Sequence, residues 1–221
     1  MRRASTVAEA TIAFQDSYER CGTCHQATRI SYALGYYNRY GGSSAPVATQ
    51  VFETPSSTGW RPLGVGHNGQ PLLGTTVSAV YRADGTRIVY TVRDGRLWEA
   101  ASNAGWRNLQ VPNHDNVTAV SAIAYNGAVL VYTVRGGAVH EAVSTGWQPL
   151  LVGYNGQPVL ANTVSAILRA DGTRIVYTVR DGHVHEAASD SGWRNLRVPN
   201  LTGVNTVSAI NANGTKILYT R

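Results

Sequence analysis

The stretch from Val77 to Trp106 returns almost letter for letter as Val164 to Trp193, displaced by 87 positions. A looser copy lies between them, from Val120 to Trp147, and a fourth begins at Val207 and runs to Arg221. Self-similarity at a fixed period means that one supersecondary unit has been stacked several times, so the fold must be an array of equivalent elements. Each full unit reads as four short strands. In the first copy these are VSAVYR, TRIVYTV, RLWEAA and GWRNLQV, separated by ADG, RDG and SNAG. Successive Gly-Trp pairs end at 60, 106, 147 and 193, so the units measure 41 to 46 residues. Four-stranded units of that length predict an all-β chain, a β-propeller of four-stranded blades.

The units alternate. The segment after Trp60 matches the one after Trp147, and the segment after Trp106 matches the one after Trp193. The array also begins and ends in mid-unit. Residues 47–65 match the second half of a blade, and residues 207–221 match the first half. Joined, the two ends make one composite blade, which predicts ring closure with no open sheet edge and four blades in one chain. A fifth blade from residues 1–45, or closure between two chains as a homo-oligomer, are the alternatives.

Residues 1–45 differ from the repeats and form a separate N-terminal extension before the 46–221 array. Val7, Ala10, Phe14 and Tyr18 recur at helical spacing, as do Ile30, Leu34 and Tyr37, which predicts a helical hairpin. The rival reading takes TRISYALG at Thr28 as an eroded copy of TRIVYTVR at Thr86.

Composition bounds the partners. The chain has 23 Gly, and its 12 Tyr and 5 Trp contrast with 2 Phe, a profile of many tight turns and amphipathic aromatics. The net charge of +6 is spread by duplication, since the arginines recur at repeat positions. A nucleic-acid footprint needs clustering, so no nucleic-acid partner is expected. No apolar run approaches the ~20 residues of a membrane helix, so no membrane insertion is expected. MRRASTVAEATIAF lacks a sustained apolar core and makes a poor signal peptide.

The candidate chemistry sits in the second and third strands of each unit. If Arg93-Asp94-Gly95 forms a three-residue loop with a bulge, Val89 pairs with Glu99, and Arg87 lies on the same face on a diagonal. A two-residue Asp-Gly turn would slip the pairing by one and separate them. In the first register Arg87 and Glu99, with Trp106 nearby, suit a sugar: hydroxyls take bidentate polar contacts, and the C–H face of the ring packs on an aromatic. Arg174, Glu186 and Trp193 repeat the set.

The pattern R-x-V-Y … E … GW, with twelve positions from Arg87 to Glu99, resembles the blade motif of fungal and bacterial fucose-binding propeller lectins over about 47–221. In that family an Arg and a Glu of one blade bind fucose together with aromatics of a neighbouring blade. The resemblance implies a fucosylated glycan as partner. It places sugar-binding roles on Arg87 with Glu99 and on Arg174 with Glu186, and Trp60, Trp106, Trp147 and Trp193 stand at the Gly-Trp positions. Glu53 and Glu141 complete the candidate set. The chain departs from the motif in three ways. Val129 stands where an Arg is expected, Lys216 replaces the last Arg, and Ser102, Ser144 and Ser189 occupy a position often held by Trp. Two good sites of alternating type are therefore expected.

Structural readings compete with these. The tryptophans cover a blade core equally well, and exposed Arg–Glu pairs serve as inter-strand salt bridges worth roughly 0–1 kcal/mol. His140 and His185 fill the position of Trp98 and read as packing residues. Cys21-Gly-Thr-Cys24-His25 has the spacing of c-type haem attachment, but a disulfide, a partial metal site or a plain thiol pair fit the same residues, and no cofactor is expected. No Ser/His/Asp arrangement, phosphate loop or recurrent carboxylate pair argues for an enzyme. The two functional expectations are a multivalent lectin and a non-catalytic platform for protein–protein interaction.

Overall fold

A computed structural model describes residues 48–221, and Ala48–Arg221 forms one compact unit. The unit is all-β: among the described residues there are strands and three short 3-10 turns. The readings of residues 1–45, including the helical hairpin and the Cys21/Cys24/His25 motif, lie outside the described residues.

Three antiparallel four-stranded sheets follow one another. The first comprises Thr76–Tyr81, Arg87–Arg93, Arg96–Ala101 and Arg107–Asp115. The second comprises Val117–Tyr125, Ala128–Arg135, Ala138–Val143 and Leu150–Leu151, and the third Thr163–Leu168, Arg174–Arg180, His183–Ala188 and Leu196–Thr202. A two-stranded hairpin, Val207–Ala212 with Thr215–Thr220, ends the chain. Short paired strands between Thr49 and Gly74 begin it.

The second strand of each sheet shows why the sheets stack. Ile88 to Val92 and Ile175 to Val179 are buried at every position, on both faces, as a near-continuous apolar run requires. The core accordingly lies in layers between consecutive sheets. Val92, Leu97 and Val111 of the first sheet meet Val120 and Val131 of the second, and Leu130 and Val139 of the second meet Val164 and Val176 of the third. Each first strand also lies beside the next. The Ser78 hydroxyl accepts the Ala122 N–H, Ser121 accepts that of Ala166, and Ser165 that of Ala209, each at 2.9 Å. The repeated Val-Ser-Ala triplet thus supplies one inter-sheet hydrogen bond at each of these three junctions.

Two expectations are corrected. The Arg93–Arg96 hairpin has a two-residue turn, with Asp94 at φ 52° and Gly95 at φ 68°. This is the type I′ geometry, whose twist matches that of the flanking strands and which Asp-Gly favours. Arg93 therefore pairs with Arg96 and Tyr90, not Val89, with Glu99. Arg87 lies three residues from Tyr90 and so falls on the face opposite Glu99. The expected joining of the chain ends is not formed either: Phe52–Glu53 pairs with Leu63–Gly64, Thr215–Thr220 pairs with Val207–Ala212, and the two stand as separate two-stranded sheets.

Candidate functional site at the sheet junctions

The corrected register regroups the candidate residues. In the three four-stranded sheets the Glu sits on the third strand, opposite a tyrosine of the second strand, and faces the following sheet. Tyr90 pairs with Glu99, Tyr132 with Glu141 and Tyr177 with Glu186. The tyrosine rings are 0, 0 and 1% exposed, and their hydroxyls donate to the carboxylates at 2.7, 2.5 and 2.6 Å. Burial, together with the neighbouring carboxylate, holds each phenol far above its ordinary pKa, so each remains a donor.

At three junctions a cation comes from the next sheet. Arg174 places Nη1 2.6 and 2.7 Å from the two oxygens of Glu141. Arg87 pairs with Glu53, and Lys216 Nζ lies 2.9 and 2.8 Å from the Glu186 oxygens. The expected pairs, Arg87 with Glu99 and Arg174 with Glu186, are not formed. At the remaining junction the arginine position is Val129, 1% exposed, and among the described residues no Lys or Arg pairs with Glu99.

A tryptophan of that next sheet joins three of the four clusters. Trp193 meets Tyr132 edge to face at 6.1 Å, and the Arg174 guanidinium lies 5.3 Å from the Trp193 ring centre and 5.5 Å from that of Tyr125. The Arg87 guanidinium lies 5.4 Å from the Trp106 ring. Trp147 stands edge-on to Tyr90 at 6.1 Å and to His114 at 5.6 Å. Trp106, Trp147 and Trp193 are partly buried against the apolar layers, so they also cover the core. Trp60 is 70% exposed.

All four Gly-Trp tryptophans hold a left-handed backbone: φ is 59° at Trp60, 63° at Trp106, 46° at Trp147 and 67° at Trp193. A bulky residue in that region is strained by about 1–3 kcal/mol, and such strain collects at functional sites. A tight turn enforces it. The Trp106 N–H donates to the Ala101 carbonyl at 2.9 Å, and the Trp193 N–H to that of Ala188 at 2.8 Å.

The serines standing where the lectin motif often has Trp have a structural task. Ser102, Ser144 and Ser189 accept the backbone N–H of Arg87, Val129 and Arg174 at 3.0, 3.2 and 3.0 Å. His140 and His185 occupy the cross-strand row of Trp98 opposite a threonine, and burial lowers both below the ordinary imidazole pKa. His114, 1% exposed, is lowered by burial first and then by Arg135, against the hydrogen bond of Nδ1 to the Pro112 carbonyl.

Two sets of residues at the junctions carry signals the motif did not use. The tyrosines stand nine positions before Glu99, Glu141 and Glu186. A leucine stands three positions after every Gly-Trp tryptophan: Leu63, Leu109, Leu150 and Leu196. Each is directly opposite a site carboxylate, of Glu53, Glu99, Glu141 and Glu186 respectively, and each is more than half exposed. Directly opposed residues share a sheet face, so every junction presents an exposed apolar side chain beside its carboxylate.

A cleft in the N-terminal strands, lined by Gln50, Val65, Gln70 and Pro71, contains none of these residues. Among the described residues no three His, Cys, Asp or Glu side chains converge as metal ligands, and no helix is long and apolar enough to cross a membrane.

No protein-family model and no curated protein matches the chain. Among solved structures, a protein of unknown function from Bacteroides caccae is similar at 14% identity and a TM-score of 0.39, over 72% of this chain. This chain spans 55% of that one.

Proposed function

We propose that the four-stranded sheets are blades of a β-propeller and that the junctions between them bind carbohydrate, with a fucose-like sugar favoured. The observation that carries this reading is the tryptophan held at positive φ beside a guanidinium–carboxylate pair, found with Trp106 and again with Trp193. An indole face takes the C–H side of a pyranose. The guanidinium N–H groups and the carboxylate oxygens then meet its hydroxyls, and charged partners make the stronger hydrogen bonds. Arg174 engages Glu141 through Nη1, which leaves Nη2 and Nε as donors to a ligand. The exposed leucine opposite each carboxylate suits the methyl group of a 6-deoxy sugar.

The proposed sites are Glu53, Arg87 and Trp106 at one junction and Glu141, Arg174 and Trp193 at another. The Glu99 junction is of a second type, with Trp147 and Tyr90 but with Val129 in the place of the cation. Repeated weak sites on one rigid array raise avidity on a glycan-bearing surface. The test is a glycan-array screen of the folded protein beside an Arg87→Ala/Arg174→Ala variant. Binding to fucosylated glycans that is lost in the variant supports the reading. Equal binding by both proteins, or no binding by either, contradicts it and turns attention to a protein-interaction platform.

A further inference from the structure

The two ends of the array carry complementary defects. Tyr219 stands at the position of Tyr90, Tyr132 and Tyr177 in the repeat, yet it is 59% exposed where they are 0, 0 and 1%. Among the described residues no third strand pairs beside it, as one does beside its buried counterparts. Glu53 stands at the position of Glu99, Glu141 and Glu186, yet among the described residues no second strand flanks it. The Glu186–Lys216 cluster lacks a tryptophan, and Trp60 is 70% exposed with the same left-handed backbone as the three packed tryptophans. Each end therefore holds what the other lacks.

We propose that the Thr215–Thr220 edge of one chain takes the Phe52–Glu53 strand of a second copy, with Tyr219 opposite Glu53. The register follows from the three complete sheets, which all pair the equivalent tyrosine and glutamate. It brings the Tyr219 hydroxyl to the Glu53 carboxylate, completing the cluster of Arg87 and Trp106. It also carries Trp60 to Tyr177 and the Glu186–Lys216 pair. Two of the junction sites are incomplete in one chain and become complete through the partner.

A second copy is the occupant because, among the described residues, the two edges of a single chain belong to separate two-stranded sheets and do not pair with each other. Joining them within one chain would make a ring of four, the tightest in the propeller range of ~4–8 blades. Reciprocal exchange between two chains gives six whole sheets and two composite ones, which falls inside that range and gives every sheet four strands. This inference rests on the blade reading and on sheet register, and not on what the junctions bind.

The experiment has two parts, both on the full chain. Light scattering on the wild-type protein should give twice the chain mass of 23.7 kDa. Phe52→Cys and Thr220→Cys chains, each with Cys21→Ser and Cys24→Ser, are then oxidised separately and as a mixture. In the proposed register these two positions are directly opposed, about 5.5 Å between Cα atoms and within disulfide reach. The expected result is a disulfide-linked pair in the mixture and none in either chain alone. A folded wild-type protein of any mass other than two chains overturns the proposal. So does a Phe52→Cys/Thr220→Cys chain that closes its disulfide within itself. Glycan binding by a protein that stays monomeric would overturn the closure while leaving the sugar reading in place, and a cross-linked pair that binds no glycan would do the reverse.

Discussion

Arg174 reaches back 33 positions, across a sheet-to-sheet junction, to place Nη1 2.6 and 2.7 Å from the two oxygens of Glu141. The contact is largely shielded, with side-chain exposures of 23 and 14%, and Glu141 also accepts the Tyr132 hydroxyl. Truncating Glu141 strands a buried phenol and a guanidinium together. Glu141→Ala should lower unfolding stability by about 2 kcal/mol, the cost of leaving buried polar partners unsatisfied. The same change at Glu53, whose partner Arg87 is half exposed, should cost under about 1 kcal/mol. Urea denaturation of the two variants checks the contrast.

The regrouping of the site residues predicts which glutamates matter to ligand binding. Glu53→Gln should weaken binding at the Trp106 junction as much as Arg87→Ala does. Glu99→Gln, on the opposite face of the sheet from Arg87, should leave that junction unchanged. Titration of a bound sugar into each variant, with Arg174→Ala as background to silence the other junction, separates the two.

The serine at the heart of each first strand should prove structural. Ser121→Ala leaves the buried Ala166 N–H without its acceptor and should destabilise by about 1–3 kcal/mol, with binding otherwise intact. Thermal unfolding monitored by tryptophan fluorescence measures it.

The two-residue turn makes its own demand. Gly95→Ala places a Cβ at φ 68°, where the nearest neighbours at Asn116 are 4.0 Å away, so the cost is conformational rather than steric contact. It should amount to about 1–2 kcal/mol. Asp94→Asn, which tolerates the same region, should be near neutral.

Stability should fall on mild acidification. Burial holds His114 below the ordinary imidazole pKa, and His140 and His185 shift in the same direction. Below about pH 6.5 the unfolded chain takes up protons that the folded chain refuses. Stability is therefore full above that pH and declines as pH drops from there toward the folded-state values. His114→Gln should flatten part of the decline in a plot of melting temperature against pH, and an unchanged slope would contradict this account.

The sheets were legible because period and turn chemistry both act locally. VSAVYR, TRIVYTV and RLWEAA became strands at the positions where the repeat placed them. The pairing of site residues was not legible, because a single-residue choice between two turn geometries at Asp94-Gly95 moves Glu99 from Val89 to Tyr90 and turns Arg87 to the opposite face. Nor does sequence spacing within a unit reveal that a glutamate is answered by the next unit's arginine, as Glu141 is by Arg174. The leucine row had a usable signal, its constant place three residues after tryptophan, but it reads as core until its exposure is known.

The measurement that bears most directly on the central claim is a glycan-array comparison of the wild-type protein with Arg87→Ala/Arg174→Ala. The account predicts binding to fucosylated glycans by the wild-type protein and its loss in the variant, with both proteins folded by circular dichroism. Undiminished binding by the variant, or a folded wild-type protein that binds no glycan on the array, would contradict it.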